Sequence, residues 1–249
     1  MDEHFLKKRF EDLERQAISG GVYRFTGFLS PGDAALCFDV SNGKYIKTWG
    51  GAKECERVMV RFGDADELGY ECDFPIAIIR IRALNSKYAE PLTHRDFLGS
   101  LMSLGIERDT IGDIMIDKHK STAYVFVNER IAGFVTENID RIKNTTVMCE
   151  RVKEIPEGLE PELKELRLIV ATPRIDAIIA RLYNLSRSAS RVLFTSGMVL
   201  VNGKNCGNES LVLSVGDVVA VRGHGKFVYD GESKKTAKGN VSVTVRKYV

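Results

Sequence analysis

Apolar positions near the start of the chain recur at helical spacing and then lose that regularity. Residues 2–18 are predicted to form an amphipathic helix, because apolar side chains return every three or four positions. These side chains are Phe5, Leu6, Phe10, Leu13 and Ala17. Two glycines end the pattern, and short apolar stretches at residues 35–40 and 57–62 then predict strands. We therefore expect a small N-terminal α/β region over residues 1–74.

The middle of the chain alternates between strand and helix patterns. The stretch I-A-I-I-R-I-R-A at residues 76–83 predicts a strand, and Thr93 with Asp96 predicts a helix start with a capping box. Further strands are predicted at residues 111–116, 123–127 and 145–152, and a second helix at residues 128–138. This βαββαβ order is that of a ferredoxin-like fold, which we expect over residues 75–152.

RNA-recognition domains use the same βαββαβ order and stack bases on exposed aromatic residues of the sheet. The strands predicted at residues 76–83 and 123–127 do not show that aromatic pattern. From its βαββαβ order we expect the middle domain to be an RNA-binding domain. Because the aromatic pattern is missing, its expected RNA contacts are basic side chains. Its candidates are Arg80, Arg82, His94 and Arg95.

Composition changes after the middle domain. Residues 153–166 are rich in proline, glycine and glutamate, which is typical of a linker. A strand predicted at residues 166–171 is expected to join the last domain, residues 167–249, by pairing with the alternating stretch at 241–245. Residues 230–240 predict a basic, mobile loop between these strands. Its lysines are Lys234, Lys235 and Lys238.

The last domain begins with two short predicted helices. Thr172 followed by Pro173 predicts the start of the first helix. Its apolar face is Ile175, Ile178, Ile179 and Leu182. Ser186 or Ser188 is expected to cap the second helix, which should bury Val192. A strand at residues 198–201, the hairpin signal Asn202-Gly203 and a second turn at Gly216-Asp217 then predict a small sheet.

Charge is divided unevenly along the chain. Residues 167–249 contain 13 Lys and Arg against five Asp and Glu, a net charge of +8. The whole chain carries only +2, so residues 1–166 carry −6. A segment this basic predicts a polyanionic partner, with phosphate as the ligand.

Several of these basic residues are predicted to lie together on the two helices. Arg174 and Arg181 are seven residues apart and therefore share one helix face. Arg187, Ser188 and Arg191 lie at the start of the second helix, where unpaired N–H groups and the helix dipole favour an anion. We expect Arg187 and Arg191 to contribute most.

A glycine-rich loop at residues 222–226 follows the last of these strands. Its glycines would let backbone amides approach a ligand closely. With this loop included, the predicted RNA-binding residues are Arg174, Arg181, Arg187, Ser188, Arg191, Lys204, Arg222, Gly223, Gly225 and Lys226.

Other classes of function find little support in the composition. Five cysteines without a C-x-x-C pair predict reduced thiols, and no metal ion or cofactor is expected. We expect no membrane span, because the sequence has no run of about 18 apolar residues. We expect no secretory signal, because the first residues are acidic and no apolar core follows them. The chain is expected to be cytoplasmic and monomeric. Catalytic signatures such as G-x-S-x-G, a P-loop or H-E-x-x-H do not occur.

The C-terminal segment resembles the small RNA-binding module named after ribosomal small-subunit protein S-four. The matching pieces are Arg174-Ile175-Asp176, Leu185-Ser186-Arg187-Ser188, Val201-Asn202-Gly203, Gly216-Asp217-Val218-Val219 and Arg222-Gly223. Ile175 stands where the module usually has leucine. The resemblance implies recognition of structured RNA by shape and phosphate. The fold class is therefore expected to be α+β and multidomain, with this two-helix module and its small sheet after the ferredoxin-like middle domain.

The chain as a whole is similar to the YlmH family of bacterial proteins. The pieces that carry this resemblance are Phe25-Thr26-Gly27-Phe28-Leu29, Leu92-Thr93-His94-Arg95-Asp96-Phe97-Leu98-Gly99, Ile111-Gly112-Asp113-Ile114 and the C-terminal module. The resemblance implies a non-catalytic RNA-binding protein that binds ribosomal RNA, transfer RNA or both. It also implies association with the large ribosomal subunit that holds an unfinished, tRNA-linked chain after stalling, in rescue or quality control.

Two alternative functions remain open at this stage. Pseudouridine synthases often carry the same module, and their catalytic aspartate lies in an R-L-D motif that Arg174-Ile175-Asp176 superficially fits. Here the tripeptide opens the RNA-binding module itself, and only 73 residues follow Asp176, so a catalytic role is not expected. An adaptor that docks a protein through the acidic N-terminal part is the second alternative, and it is compatible with RNA binding.

Overall fold

The computed structural model describes residues 3–41, 45–53, 55–85, 89–117, 122–159, 163–235 and 239–248, with side chains at 233–235 left out. Two compact units divide the chain, Met1–Glu160 and Pro161–Val249. The described residues form seven α-helices and several sheets, so the protein is a multidomain chain of mixed α and β structure. No helix in these ranges is both long and apolar enough to cross a membrane. Nor do three or more potential metal ligands of the His, Cys, Asp and Glu types cluster there.

The first unit begins with the predicted amphipathic helix. Helix α1 spans Glu3–Gly20 and buries Leu6, Phe10 and Ala17 against its neighbours. A three-stranded antiparallel sheet follows, built from β1 (Arg24–Phe25), β2 (Ile46–Trp49) and β3 (Met59–Phe62) in the order β1-β3-β2. Helix α2 (Pro31–Ser41) lies between β1 and β2 in the chain.

The strand predicted at residues 35–40 is wrong, because these residues lie in α2. Ser30 supplies the reason. Its hydroxyl accepts from the backbone N–H of Asp33 at 3.2 Å and donates to the Asp33 carboxylate at 2.7 Å, which starts a helix. Apolar residues occur on both faces of this helix, so the sequence shows no clear helical period. Its apolar composition therefore resembled that of a strand.

The second sheet of this unit has five strands. They are β4 (Ile76–Ala83), β5 (Ile111–Ile116), β6 (Thr122–Asn128), β7 (Arg141–Ile142) and β8 (Thr145–Val152). Their order is β5-β6-β4-β8-β7, and all pairs are antiparallel. Helices α4 (His94–Ser103) and α5 (Glu129–Asn138) pack on one face of this sheet. The short helix α3 (Ala65–Leu68) precedes the sheet in the chain.

The opposite face of this five-stranded sheet is partly covered by the N-terminal region. Phe126 of β6 is fully buried, and Phe28 and Met59 pack against it. Gly51 makes the close approach possible. It has φ of +103°, and a Cβ there would lie 2.3 Å from the Phe126 ring. The end of the face that carries Arg80 and Glu150 is left half-exposed.

The second unit is a six-stranded antiparallel sheet with two helices on one face. Its strands are β9 (Leu163–Val170), β10 (Val199–Val201), β11 (Lys204–Asn205), β12 (Val218–Val221), β13 (Gly225–Lys235) and β14 (Val241–Tyr248). Their order is β11-β10-β12-β13-β14-β9. The predicted pairing of the first and last strands is confirmed, with Val170 opposite Val241. This sheet is larger than predicted.

Helices α6 (Ile175–Leu182) and α7 (Arg187–Thr195) cover that sheet with their apolar faces. The predicted start at Thr172-Pro173 is wrong by two residues. Arg174 is the extended N-cap, because it forms a β-bridge with Val212. Ser186 is the N-cap of α7, and its hydroxyl accepts from the Ala189 N–H at 3.1 Å. The predicted hairpin is also confirmed, with Asn202 and Gly203 both at positive φ.

Three further expectations for this unit differ from the structure. The strand expected from residue 166 begins at Leu163, because its pairing with β14 extends to Tyr248. Residues 230–235, expected in a mobile loop, belong to β13 and are paired with β14 through two irregularities. Of the lysines assigned to that loop, Lys238 lies outside the described residues. The predicted turn at 118–121 and residues 160–162 of the predicted linker also lie outside them. Val192 is 60% exposed rather than buried.

The contact between α6 and α7 predicts a stability effect. Ser190 is 1% exposed, and its hydroxyl donates to the Asp176 carbonyl oxygen at 3.0 Å. Ser190→Ala should lower the free energy of unfolding by about 1–2 kcal/mol, because a part-buried acceptor loses its partner. Urea unfolding followed by circular dichroism measures this change. Ser188→Ala, at an exposed position of the same helix, is the control, and equal unfolding midpoints for the two variants would contradict the prediction.

The capping box of α4 predicts a pH dependence. The Lys143 ammonium at 2.9 Å, then the hydroxyl and N–H of Thr93, lower the pKa of Asp96 from 3.8 to about 2. This contribution to stability is present in full above pH 3.8 and is lost as pH falls towards 2. Asp96→Asn should therefore lower the unfolding midpoint in urea at pH 5 and should differ less from the parent near pH 2.5. A constant difference across this range would rule the explanation out.

Candidate nucleic-acid interface

A groove of about 850 Å³ runs along the two helices of the second unit. Its walls are formed by the last residues of β9, the outer side of α6, the turn that follows α6 and the first turns of α7. Five of the predicted RNA-binding residues line it, namely Arg174, Arg181, Arg187, Ser188 and Arg191. Both Arg174 and Arg181 line the groove, but only Arg181 lies on α6, because Arg174 is the extended N-cap that precedes it.

Two of these arginines are held by carboxylates. Arg174 donates to both oxygens of Asp176, at 3.1 and 2.9 Å. Arg191 lies 2.8 Å from Glu209, and the same Glu209 oxygen is 4.0 Å from Arg174. Asp176 is thus paired with the arginine that precedes it by two positions. These carboxylates fix the two guanidinium groups but also offset part of their charge.

The other two arginines have no such partner. Within the described residues, neither Arg181 nor Arg187 forms an ion pair, and both are exposed. The groove walls therefore carry four arginines against the single carboxylate of Asp176, with Glu209 behind Arg191. A net positive concave surface with two uncompensated guanidinium groups suits a phosphate-bearing ligand.

The start of α7 adds backbone donors to this surface. Ser186 caps the N–H of Ala189, while its hydroxyl is 3.0 Å from that of Ser188. The first N–H groups of a helix lack intrahelical acceptors, and the dipole makes this end positive. Arg187 and Ser188 are the first two residues of α7, so their backbone N–H groups and their side chains are offered at the same place.

The predicted glycine-rich loop contacts the turn between the two helices. Gly223 and Gly225 have φ of +84° and +127°, which favours glycine at both positions. His224 between them lies 5.4 Å from the Tyr183 ring, centroid to centroid, and Tyr183 directly follows α6. At the beginning of the loop, the Arg222 N–H donates to the Met198 carbonyl at 2.9 Å. The loop is thus adjacent to the helix pair.

Lys226 and Lys204 are not brought into the groove. Phe227 is fully buried in the core beneath the helices, and alternation along β13 directs Lys226 to the other face of the sheet. There its ammonium lies 4.7 Å from the centroid of the Tyr248 ring. Lys204 lies in β11 at the edge of the sheet, beyond the C-terminal end of α7.

Sequence reasoning missed Glu209 and Tyr183. Glu209 lies between strands, and no periodic signal connects it with Arg191. Tyr183 is visible as an aromatic residue beside the predicted helix break, but its surroundings come from distant strands. Burial raises the pKa of Tyr183 to about 12, and the Lys247 ammonium lies 5.3 Å from its ring centroid. Its hydroxyl has no hydrogen-bond partner among the described residues.

Two of the four basic residues singled out in the middle domain are paired with one carboxylate. Arg80 donates to Glu150 at 3.1 and 2.7 Å, and Arg82 lies 3.4 Å from the same carboxylate. Loss of hydration and then the charge of Arg108 lower the pKa of His94. Arg95 is exposed on α4. These residues do not form a common basic surface.

Two of the sequence pieces that carry the whole-chain resemblance, residues 25–29 and 111–114, meet around the half-buried Arg57. Arg57 donates to the Phe28 carbonyl at 2.6 Å and to the Ile111 carbonyl at 3.2 Å. Asp113 accepts from the backbone of Arg57 at 3.2 Å. Burial, then the charge of Arg57, lower the pKa of Arg108 to about 10, which leaves it charged at neutral pH. This arrangement ties the N-terminal region to the five-stranded sheet.

Comparison with known proteins agrees with RNA binding. Residues 70–155 match the family model described as "Putative RNA-binding domain in YlmH". The chain is 27% identical over 260 residues to "Ribosome-associated protein quality control protein P2" of Bacillus subtilis (strain 168), covering 98% of this chain and 97% of the relative. The structure of "Cell division protein ylmH from Streptococcus pneumoniae" covers 60% of this chain and 90% of its own, at 20% identity and a TM-score of 0.48. The chain therefore carries an RNA-binding domain of the YlmH type over residues 70–155.

Proposed function

We propose that this protein belongs to the YlmH family and binds structured RNA without catalysing a reaction. Its main RNA contact is the arginine groove of the second unit, lined by Arg174, Arg181, Arg187, Ser188 and Arg191. The observation that carries this proposal is that two exposed arginines, which form no ion pair with any described residue, lie beside two arginines held by carboxylates. Such a surface binds phosphates by shape and charge, as expected for folded RNA.

The proposed target is ribosomal RNA, transfer RNA or both, on the large ribosomal subunit. Support comes from the near full-length similarity to a relative whose name records ribosome association and quality control. The net charge of +8 over residues 167–249 supports a large RNA rather than a small metabolite. We infer a cytoplasmic role in the rescue or quality control of stalled translation, performed by a monomer.

We further infer that the second unit is an S-four-type module. The pair α6–α7, the hairpin at Asn202-Gly203 and the glycine loop beside Tyr183 support this assignment, although the sheet around them has six strands. The order β5-β6-β4-β8 in the first unit supports a ferredoxin-like arrangement for the middle domain. The proposed domains are 1–74, 75–152 and 167–249, and of the linker predicted at 153–166 the last residues, from Leu163, belong to β9 of the second unit.

A pseudouridine-synthase reaction at Asp176 is disfavoured by local geometry. Both carboxylate oxygens accept from Arg174, and one also accepts from the Ala177 N–H at 2.9 Å. A catalytic aspartate needs an oxygen directed at the substrate, whereas these contacts give Asp176 a positioning role. An adaptor role for the N-terminal region is compatible with the RNA-binding proposal and would make ribosome association less dependent on salt.

Removing the two arginines that lack ion pairs should flatten the salt dependence of RNA binding. For Arg181→Ala/Arg187→Ala, the slope of log Kobs against log salt should fall in magnitude by about 1.5, because two phosphate contacts are lost. Fluorescence anisotropy with a labelled ribosomal RNA hairpin at several salt concentrations measures the slope. Arg15→Ala/Arg130→Ala removes two exposed arginines from the first unit and should leave it unchanged. Equal slopes for the two double variants would overturn the groove assignment.

Ribosome association should depend on the same groove. In a sucrose gradient of cell lysate, the parent protein should sediment with large subunits, and Arg181→Ala/Arg187→Ala should shift to the top fractions. Immunodetection across the gradient measures the distribution, with Arg15→Ala/Arg130→Ala as the matched control. A parent protein that remains at the top, together with bound transfer RNA, would replace the ribosome with a free RNA as the target.

A further inference from the structure

We propose that the first unit has its own site for an unpaired RNA nucleotide, in a groove with Trp49 as the stacking surface. This site lies outside the arginine groove and rests on the proposed function only in taking RNA as the ligand. The groove, of about 630 Å³, opens between β2 and the ends of β4 and β8. We call it the Trp49 groove.

Trp49 is placed as a stacking residue rather than a core residue. It is the only tryptophan of the chain, ends the edge strand β2 and is 43% exposed. Large aromatic residues are ordinarily buried where a core is available, and the neighbouring Phe28, Phe62 and Phe126 are nearly fully buried. An exposed indole at the rim of a concave surface offers a flat face to a base.

The backbone beside Trp49 keeps the indole at this position. Gly50 and Gly51 follow it, and a Cβ on Gly50 would lie 2.6 Å from the Arg57 carbonyl oxygen. Gly51 rests against Phe126 on the covered face of the five-stranded sheet. The segment that carries Trp49 is thus pressed onto the sheet, and the indole adjoins the part of the face that remains open.

The sheet itself explains why a stacking residue would come from outside it. In RNA-recognition domains, aromatic side chains on the open sheet face stack bases. Here the aromatic residues of β6 on that face, Tyr124 and Phe126, are buried, and Phe28 and Met59 pack against Phe126. Trp49 supplies an aromatic surface at the edge of the same face, where Ile76, Ile78 and Val152 line the groove.

Charge in the Trp49 groove favours an anion. Its lining includes four cationic residues, Lys47, Arg61, Arg151 and Lys153, against two carboxylates, Glu71 and Asp73. Arg61, only 3% exposed, lies between the Tyr23 and Phe74 rings, at 4.5 and 5.7 Å from their centroids. This buried cation forms the fixed part of the groove.

The four cations differ in how far they are compensated. Arg61 donates to the Glu71 carboxylate at 3.0 Å, the Lys47 ammonium lies 3.7 Å from the same carboxylate, and Arg151 is paired with Glu129. Lys153 is exposed and forms no ion pair with any residue that the structure describes. Lys153 is therefore the best placed of them to meet the phosphate of a nucleotide whose base stacks on Trp49.

RNA is favoured over an acidic peptide by where the groove lies. Ten of its fourteen lining residues fall within residues 70–155, the range that matches the RNA-binding domain model. An indole can stack on the base of a nucleotide, and lysines beside it can bind the phosphate. An acidic peptide would use the cations but would leave the indole without a stacking partner.

The test uses the full-length chain with Arg181→Ala/Arg187→Ala, so that the arginine groove does not contribute. An unstructured RNA of about eight nucleotides is added while the emission of Trp49, the sole tryptophan, is followed. We expect saturable quenching. Anisotropy with the same RNA, labelled, should show affinity about tenfold weaker for Trp49→Ala, and a smaller loss for Trp49→Phe, which keeps a ring.

The matched control is Phe134→Ala, which removes a 45% exposed aromatic residue from α5 of the same unit. It should bind the RNA like its parent, and Lys153→Ala should reduce the salt slope by about 0.7. Equal affinity for Trp49→Ala and Phe134→Ala, with circular dichroism showing both folded, would overturn the proposal. Quenching by a poly-glutamate peptide but not by RNA would overturn it in favour of a protein partner. Failure of the arginine groove appears separately, as an unchanged slope for Arg181→Ala/Arg187→Ala in an otherwise native chain.

Discussion

Carboxylates that hold arginines in fixed positions are the constraint on which the second unit depends. Asp176 binds Arg174 through both oxygens, and Glu209 reaches Arg191 from another part of the chain. Exposed ion pairs of this kind contribute little to stability, typically up to about 1 kcal/mol. Their consequence is geometric: they orient two guanidinium groups along a groove whose other two arginines stay available for phosphate.

The helix pair under that groove is held by apolar packing and by one buried hydroxyl. Ile175, Ile178 and Ile179 are fully buried against the sheet, while Ser190 joins the middle of α7 to the Asp176 carbonyl. The arginines can therefore be replaced without touching the core. This separation makes the groove variants informative, because loss of RNA binding and loss of fold are distinguishable.

The first unit uses a different physical solution. Its five-stranded sheet has one face packed by α4 and α5, and much of the other face is closed by Phe28 and Met59. A covered sheet cannot stack bases on its own aromatics. The exposed Trp49 and the buried Arg61 line one groove at the edge of the covered face.

Local patterns determined much of this protein from the sequence by itself. Alternation identified β4, β5 and β6, the Thr93 and Asp96 pair marked α4, and Asn202-Gly203 marked a hairpin, because each signal acts within a few residues. The same reasoning found the four groove arginines. It failed for α2, whose apolar residues lack a clear period, and for Val192, which faces away from the core that its hydrophobicity suggested.

Tertiary structure alone decided which of these residues meet. The partner of Arg191 is Glu209, 18 positions later, and the side of the sheet on which Lys226 lies follows from the burial of Phe227. Whether Trp49 is core or surface likewise depends on Gly51 reaching Phe126, 75 residues away. Local sequence sets the conformation of each segment through short-range sterics and hydrogen bonds. Partners far apart in the chain are chosen only when the segments pack, since burial of apolar surface decides which face of each element is left to bind a ligand.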